Sequence, residues 1–372
     1  MIGALRSWLL RKWVMRRRRP SKHSYKQVGI FKVDRLGDFV LALGAIRQIV
    51  DHEGAENCVL IISPHAEALA HREFPDISKV VLEVEGIDPA NLRRLLRKHA
   101  AEPLFRDGVN RLICLRHQRT EQHHVTLAAI PAAETWGAID SSPGGQASLW
   151  KVMPLDHGIT NVEPEPGETW ELARHREVVS VYLGRHVTDS DVLPLLTTSW
   201  MPQGAFVSVS PFGSNAIRDF PPTLLVAAAH FLWTKHRLRL CLLSPPGDVP
   251  RYEKLTGELT QLGVPGPEVR VCPSLEELIQ AISQSRLVLS VETATAHLAT
   301  AMDLPMVALV GGGHLGWLAP WQRSTRQQWL TNEVACSQCN WRCSQSEPIC
   351  ITQIRQGALL QAITRVLAET SK

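Results

Sequence analysis

From residue 28 onward, short runs of β-branched and aliphatic residues alternate with longer stretches whose apolar positions recur at helical spacing. The runs at 28–33, 58–62, 80–84 and 111–115 predict strands. Between the first two, Leu41, Leu43, Ile46, Ile49 and Val50 predict a helix over 39–50, and helical stretches follow at 65–71 and 89–100. After Pro154 the chain turns loop-like through Pro164, Pro166 and Gly167, and a helix is predicted near 171–184. Residues 187–204, with Pro194 and Pro202 and little periodicity, interrupt the pattern. It then restarts, with strands predicted at 206–210, 238–243, 269–272, 287–290 and 306–310. Helices are predicted between them, near 222–235, 250–262, 275–284 and 294–302, and a last one at 356–367. Such alternation implies a parallel sheet covered by helices, and two successive series imply two doubly wound, Rossmann-like α/β domains. The division expected is an arm (1–28), a first domain (29–190), a linker (191–204), a second domain (205–350) and a C-terminal helix (351–372).

Length and composition narrow this picture without changing it. A chain of 372 residues fits two domains at roughly 100–200 residues each. With 44% hydrophobic and 20% charged residues it is neither disordered nor a small disulfide-stapled module. No apolar run reaches the ~18 residues of a membrane span. Charge changes more. The formal net charge of +4 conceals an arm, residues 1–28, with nine Lys or Arg and no Asp or Glu. The remaining 344 residues carry 31 positive and 36 negative charges. Within the arm, Arg6, Arg11 and Lys12 interrupt every apolar stretch, which argues against an export signal. Trp8, Leu9, Leu10 and Trp13 beside Arg16–Arg19 suit a peptide lying on an anionic inner-leaflet surface. The alternatives are a solvated terminus or a nucleic-acid contact. No basic groove with interleaved aromatics recurs elsewhere, so nucleic acid is not an expected partner.

Eight cysteines divide evenly. Cys58, Cys114, Cys241 and Cys272 lie in apolar segments and read as buried thiols. Cys336, Cys339, Cys343 and Cys350 cluster as C-x2-C-x3-C-x6-C. In a reducing compartment disulfides are disfavoured, leaving a structural zinc or reduced structural thiols as the alternatives.

In doubly wound folds ligands bind beyond the carboxyl ends of strands. The first predicted strand ends in Asp34-Arg35-Leu36-Gly37-Asp38 directly before a helix. A carboxylate there faces the crevice at a helix N-terminus, which keeps it ionised. Asp38 is therefore a candidate general base, and Gly37 allows close approach to the backbone; the alternative is that Asp38 only caps the helix. In the second domain, strand 206–210 leads into Pro211-Phe-Gly-Ser-Asn-Ala-Ile-Arg-Asp-Phe-Pro221. Gly213, Ser214 and Asn215 suit a tight loop with free donors, and Arg218 supplies a bidentate charge for phosphate oxygens. Later, Glu292-Thr293-Ala294-Thr295-Ala296-His297 runs from a strand into a helix whose first N–H groups form a phosphate cradle. His297 reads either as part of that site or as a packing histidine.

Two tempting motifs are discounted. Gly311-Gly-Gly-His-Leu-Gly316 satisfies G-x-G-x-x-G, but Trp317, Pro320 and Trp321 stand where a helix should begin. Asp189-Ser190-Asp191 resembles a metal-binding pair but follows no strand.

Taken together, the loops resemble glycosyltransferase family 9, the bacterial lipopolysaccharide heptosyltransferase family. Phe31-Lys-Val-Asp-Arg35-Leu-Gly37-Asp38 is similar to the family's R-x-D/S-x-x-G-D start. Ser210-Pro-Phe-Gly213 through Arg218-Asp-Phe-Pro221 is similar to its G-x-S-x-x-K-x-W-P segment, and Glu292 through Ala301 to its D-T-G-x-x-H-L-A-A-A signature. Arg218 stands for the family Lys, Glu292 for Asp, Ala294 for Gly and Phe220 for Trp, and Gly44 lies near the family's Pro.

The resemblance implies a GT-B fold, two facing Rossmann-like domains, acceptor side first and nucleotide-sugar side second. It implies an inverting transfer that needs no metal cofactor, with Asp38 as base. Arg218, Gly213, Ser214, Asn215 and the N–H groups of Thr293, Ala294, Thr295 and Ala296 would hold the leaving diphosphate, with Glu292 on sugar or ribose hydroxyls and His297 beside them. ADP-heptose is the donor the family favours. Arg35, Gly37, Arg116 and Arg119 would meet an anionic glycolipid or core oligosaccharide, Arg116 and Arg119 lying with His117, His123 and His124 in a basic stretch that reads otherwise as a solvated loop. The setting implied is the cytoplasmic face of the inner membrane of a Gram-negative-type bacterium. A different sugar nucleotide, a noncatalytic membrane-tethered scaffold and an epimerase of the same architecture are the alternatives.

Overall fold

The computed structural model describes residues 24–116, 118–139, 155–160, 162–198 and 200–370. The membrane-surface expectation for the arm therefore falls, up to residue 23, outside the described residues, as does His117. Lys26, Gln27 and Val28, counted above with the arm, already belong to the first strand.

The chain divides into two compact units. Unit 1 comprises residues up to Pro166 together with Trp170–Pro194; unit 2 comprises Gly167–Thr169 and the chain from Leu195 on. Unit 1 holds six parallel strands: β1 (Lys26–Lys32), β2 (Cys58–Ile62), β3 (Ser78–Val81), β4 (Val109–Cys114), β5 (Ala132–Ala138) and β6 (His157–Ile159). Their spatial order is β3-β2-β1-β4-β5-β6. Unit 2 holds β7 (Phe206–Ser210), β8 (Arg239–Ser244), β9 (Glu268–Val271), β10 (Val288–Val291), β11 (Met306–Leu309) and β12 (Gln327–Leu330). Their order is β12-β11-β10-β7-β8-β9. Numbered from its own first strand, each unit reads 3-2-1-4-5-6, the order of dinucleotide-binding folds, with its switch point between strands one and four.

The central strands are apolar on both faces because helices cover both. Every residue of β2 is buried, as is every residue of β10 and β11. In unit 1 the helix Leu36–Glu53 starts directly after β1 and buries Phe39, Leu41, Leu43 and Ile46. In unit 2 the terminal helix Gln356–Glu369 places Leu359, Ile363 and Val366 in the same core as Val207, Leu289 and Val307, so it is built into the unit's core.

Strands β5, β6 and β12 were not read from the sequence. β5 is Ala-Ala-Glu-Thr-Trp-Gly-Ala and β12 is Gln-Gln-Trp-Leu. Neither carries a β-branched run; each forms by pairing with an apolar neighbour, β4 and β11 respectively. The segment 191–204, expected as a linker, spans the division at Pro194/Leu195, and its second part is bonded to unit 2. The N–H groups of Leu196, Met201 and Gln203 donate to the carbonyls of Ala301, Ser283 and Gln284 at the ends of two helices. Its lack of helical periodicity reflects backbone bonding, while Val192, Pro194 and Leu196 are buried along it.

Candidate functional site

In unit 1 the loop after β1 lies beside the end of β4, at the switch point. Asp38 is the third residue of the helix Leu36–Glu53 and lies half-buried in its first turn, where the helix dipole favours a carboxylate. The N-cap position belongs to Arg35, whose side chain makes no capping bond, and Asp38 stands three residues on, at N3. Beneath this loop lies a buried ionic cluster. Lys32, with no exposed surface, is 2.6 Å from Glu171 Oε1 and 3.0 Å from Asp34 Oδ2, and donates to the Leu115 carbonyl. Asp34 also pairs with Arg116. Burial raises the Glu171 carboxyl, but the nearby Lys32 charge, with its hydrogen bond, outweighs it and holds it below its ordinary value.

Arg116 and Arg119 are buried, not displayed. Arg116 donates to the carbonyls of Val33 and Gln118, Arg119 to those of Arg116 and Ala138, so the two guanidinium groups tie together the ends of β1, β4 and β5. Burial lowers the Arg116 pKa to about 10. His123 and His124 are not in a solvated loop either. They lie in the helix Glu121–Ala129, and burial lowers their pKa values to about 2 and about 4, which leaves both neutral. Arg35 is exposed, 3.7 Å from Glu85. Among these residues Arg35 is exposed on the loop, and Gly37 and Asp38 are half-buried in the first turn of the helix.

In unit 2 the loops after β7 and β10 meet because those strands are neighbours. Arg218 Nη2 donates to the carboxylate and the carbonyl of Glu292, and Nη1 donates to Ser214 Oγ at 3.0 Å. Gly213 permits this turn, since a Cβ there would collide with the Arg218 side chain, and its N–H donates to Asp219. Asn215 caps its own turn by accepting from the Ile217 N–H. Glu292 is flanked by His297 Nε2 at 3.4 Å from Oε1 and His314 Nδ1 at 3.7 Å from Oε2. Burial raises the Glu292 carboxyl, but bonds from His297 and His314 and the Arg218 charge prevail and hold it well below the carboxylate range. His297 Nδ1 accepts from the Trp321 indole N–H at 3.0 Å, which assigns its ring hydrogen to Nε2, facing Glu292.

The helix Ala294–Ala301 begins directly after this carboxylate. Its N-cap Thr293 does not cap with its side chain, whose hydroxyl lies 3.1 Å from Ser290 Oγ, and Thr295 Oγ1 accepts from Ser210 Oγ. The first-turn N–H groups are thus left for a ligand. A cation, a carboxylate and a helix N-terminus at one switch point can together bind a diphosphate and a hydroxylated group.

Residues 231–349 match the family described as glycosyltransferase family 9 (heptosyltransferase). The matched segment lies within unit 2. Among solved structures the whole chain is similar to a family 9 glycosyltransferase from Veillonella parvula, at 14% identity and TM-score 0.68, covering 94% of this chain and 99% of that one. It is similar also to the E. coli ADP-heptose lipopolysaccharide heptosyltransferase II, at 12% identity and TM-score 0.64, covering 93% and 100%. The E. coli heptosyltransferase WaaC with ADP gives 14% identity and TM-score 0.64, covering 91% and 99%. At these identities the likeness is one of fold, the two-domain α/β architecture of GT-B heptosyltransferases. No curated protein sequence matches the chain.

Three contributors to the unit 2 site escaped the sequence. His314 belongs to the discounted glycine motif, Trp329 to the unread β12, and Trp341 to the cysteine-rich segment. Trp329 donates to the Trp321 carbonyl at 2.6 Å, and Trp321 in turn donates to His297. The glycine motif forms one short turn, Gly312–His314, not a helix start; a Cβ at Gly311 or Gly313 would overlap the Trp341 indole. Asp191 of the discounted acidic pair accepts from the Thr188 N–H and hydroxyl, closing a capping box. Cys336, Cys339, Cys343 and Cys350 line one recess with Trp341 and Gly312. Among the described residues, however, no group of three or more His, Cys, Asp or Glu is gathered to hold a metal ion.

Proposed function

We propose that the chain is an inverting glycosyltransferase that moves a sugar, heptose from ADP-heptose first among the candidates, onto a lipopolysaccharide core or related anionic glycolipid. Asp38 takes the proton of the acceptor hydroxyl as it attacks the anomeric carbon, a contribution of about 10²–10⁴-fold for a positioned base. The anomeric carbon passes through an oxocarbenium-like state, as in glycoside hydrolysis. Arg218 and the N–H groups at Thr293–Ala296 hold the departing diphosphate, oriented before the bond breaks. Glu292, ionised and fixed by His297, accepts hydrogen bonds from donor hydroxyls. This assignment asks no metal to neutralise the leaving group. On the acceptor side Arg35 and Gly37 meet the glycolipid, while Arg116 and Arg119 hold up the loop on which Asp38 sits.

The observation that carries this reading is the convergence of Arg218, Glu292 and an uncapped helix N-terminus at the β7–β10 switch point; Glu292 and the helix lie within the segment that matches family 9, and Arg218 lies just before it. Support for the donor comes from the E. coli relatives, one named for ADP-heptose and one holding ADP. No helix among the described residues is long and apolar enough to cross a membrane, and the basic arm is proposed to attach the enzyme to the anionic inner leaflet. The test is release of ADP from ADP-heptose, with and without core acceptors, in EDTA. Acceptor-dependent release is expected; dependence on added divalent metal would overturn the metal-free assignment. Absence of release across a panel of nucleotide sugars would favour the scaffold.

A further inference from the structure

Trp341 lies between Cys339 and Cys343 in the cysteine-rich segment, outside every helix and strand, yet its side chain reaches the centre of the unit 2 site. The Arg218 guanidinium carbon is 5.0 Å from the Trp341 ring centroid. The His314 ring meets the same indole edge-on at 5.3 Å. One aromatic surface thus touches two of the three groups that flank Glu292.

The backbone is shaped to deliver it. Gln338, Asn340 and Trp341 have φ of 66°, 48° and 61°, a left-handed conformation that L residues hold only where their surroundings impose it. The N–H of Gln338 donates to the Gly312 carbonyl at 2.6 Å and that of Asn340 to the Gly313 carbonyl at 3.2 Å. Asn340 Oδ1 lies 3.3 Å from His314 Nε2. Gly311 and Gly313, lacking Cβ atoms, make the room in which the indole sits. Two buried donors in this cluster, Arg218 Nε and Trp341 Nε1, have no hydrogen-bond partner, as suits a place that receives an acceptor-rich ligand.

We propose that Trp341 is a positioning residue: its π face sets the plane of the Arg218 guanidinium in the place where the nucleoside diphosphate of the donor binds. This rests on the sugar-transfer reading and deepens it. Arg218 is held at its Nη atoms by Glu292 and Ser214, and Ser214 is on an exposed loop, so those bonds alone leave the plane free to turn. The indole supplies the missing constraint and, through the ring quadrupole, favours the cation there. The cysteine-rich segment is then the strut that carries Trp341 into the donor site.

The full-length protein tests this through binding of ADP, UDP and GDP, followed by calorimetry, for Trp341→Leu, Trp341→Phe, Arg218→Ala and the double variant Trp341→Leu/Arg218→Ala. Trp341→Leu is expected to weaken binding of the preferred diphosphate about tenfold, and Trp341→Phe, which keeps a π face, to recover most of it. In the Arg218→Ala background the Trp341→Leu change is expected to add little, because the residue acts through Arg218. Losses that multiply, or a Trp341→Phe variant as weak as Trp341→Leu, would overturn the positioning role while leaving the sugar-transfer reading intact. A wild-type protein that binds none of the three diphosphates overturns both. Should Trp341→Leu fail to fold, Trp341→Phe alone decides: a melting midpoint near wild type with binding lost overturns the proposal, and binding retained sustains it.

Discussion

The two units share one topology and each pairs buried charges at the switch point, but the two sets of charges have different neighbours. Unit 1 buries its charges below the loop and pairs them among themselves: Lys32 with Asp34 and Glu171, and Arg116 with Asp34. Above them Asp38 lies half-buried in the first turn of the helix that follows β1. Unit 2 brings its ions to the strand ends themselves, where Arg218 and Glu292 meet beside a helix N-terminus, walled by Trp341 and Trp321. A base needs a carboxylate on a rigid support and little else. A diphosphate needs several donors converging before it arrives, because their preorganisation is what lowers the barrier. On the proposed reading, the same strand order serves as a foundation in one unit and as a binding surface in the other.

The sharpest way to break this comparison is to remove the proposed base and a foundation group in turn. Asp38→Asn is expected to lower acceptor-dependent ADP release by about 10²–10⁴-fold with an unchanged melting midpoint. Glu171→Ala should act on the fold. It strips Lys32 of a buried partner and is expected to destabilise unit 1 by about 3–5 kcal/mol, read from denaturant unfolding. If Glu171→Ala left stability intact, the cluster would not be a foundation.

Acid separates the units by a second route. His123, His124 and His175 are held neutral by burial, their pKa values lowered from 6.5 to about 2, about 4 and about 4. Below about pH 6.5 the unfolded chain takes up protons that folded unit 1 refuses, and each histidine removes about 1.4 kcal/mol per pH unit down to its folded value. Glu292 also has a depressed value, so its contribution to unit 2 is complete above its unfolded value of about 4.5 and fades only below it. Between about pH 6.5 and 4.5, hydrogen-exchange protection, corrected for intrinsic rates, is expected to fall in unit 1 before unit 2. Equal loss in both would contradict the assignment.

A smaller effect concerns Gly44, which the sequence placed near a family proline. A Cβ there would collide with the Val192 backbone of the short helix Asp189–Val192. Gly44→Ala is expected to cost about 1–3 kcal/mol in unit 1, measured by denaturant unfolding. The smallest effect should come from an exposed pair in unit 2, Lys254 with Glu258 at 3.9 Å, where Lys254→Ala is expected to change stability by less than about 0.5 kcal/mol.

How much of this was legible follows from where the signals reside. Both strand–helix series, the strand ends and the loops bearing Asp38, Arg218, Glu292 and His297 were readable because local periodicity and loop chemistry are written along the chain. The strands β5 and β12 were not, since Ala-Ala-Glu-Thr-Trp-Gly-Ala and Gln-Gln-Trp-Leu become strands only by pairing with a neighbour. Arg116 and Arg119 looked like ligands because charge after a strand reads alike whether it faces solvent or backbone carbonyls. The glycine motif looked empty of purpose because its partner, Trp341, lies 25 or more residues away.

By itself, then, the sequence determined two doubly wound units and the identity of the groups at the ends of their first strands, because these depend on neighbours within a few residues. Strand order, and with it the meeting of Arg218 and Glu292 across 74 residues, belonged to the tertiary structure. So did the burial of the unit 1 charges and the seating of Trp341 against Arg218. Each of those depends on which surfaces pack together, and that choice minimises buried, unpaired charge over the whole domain.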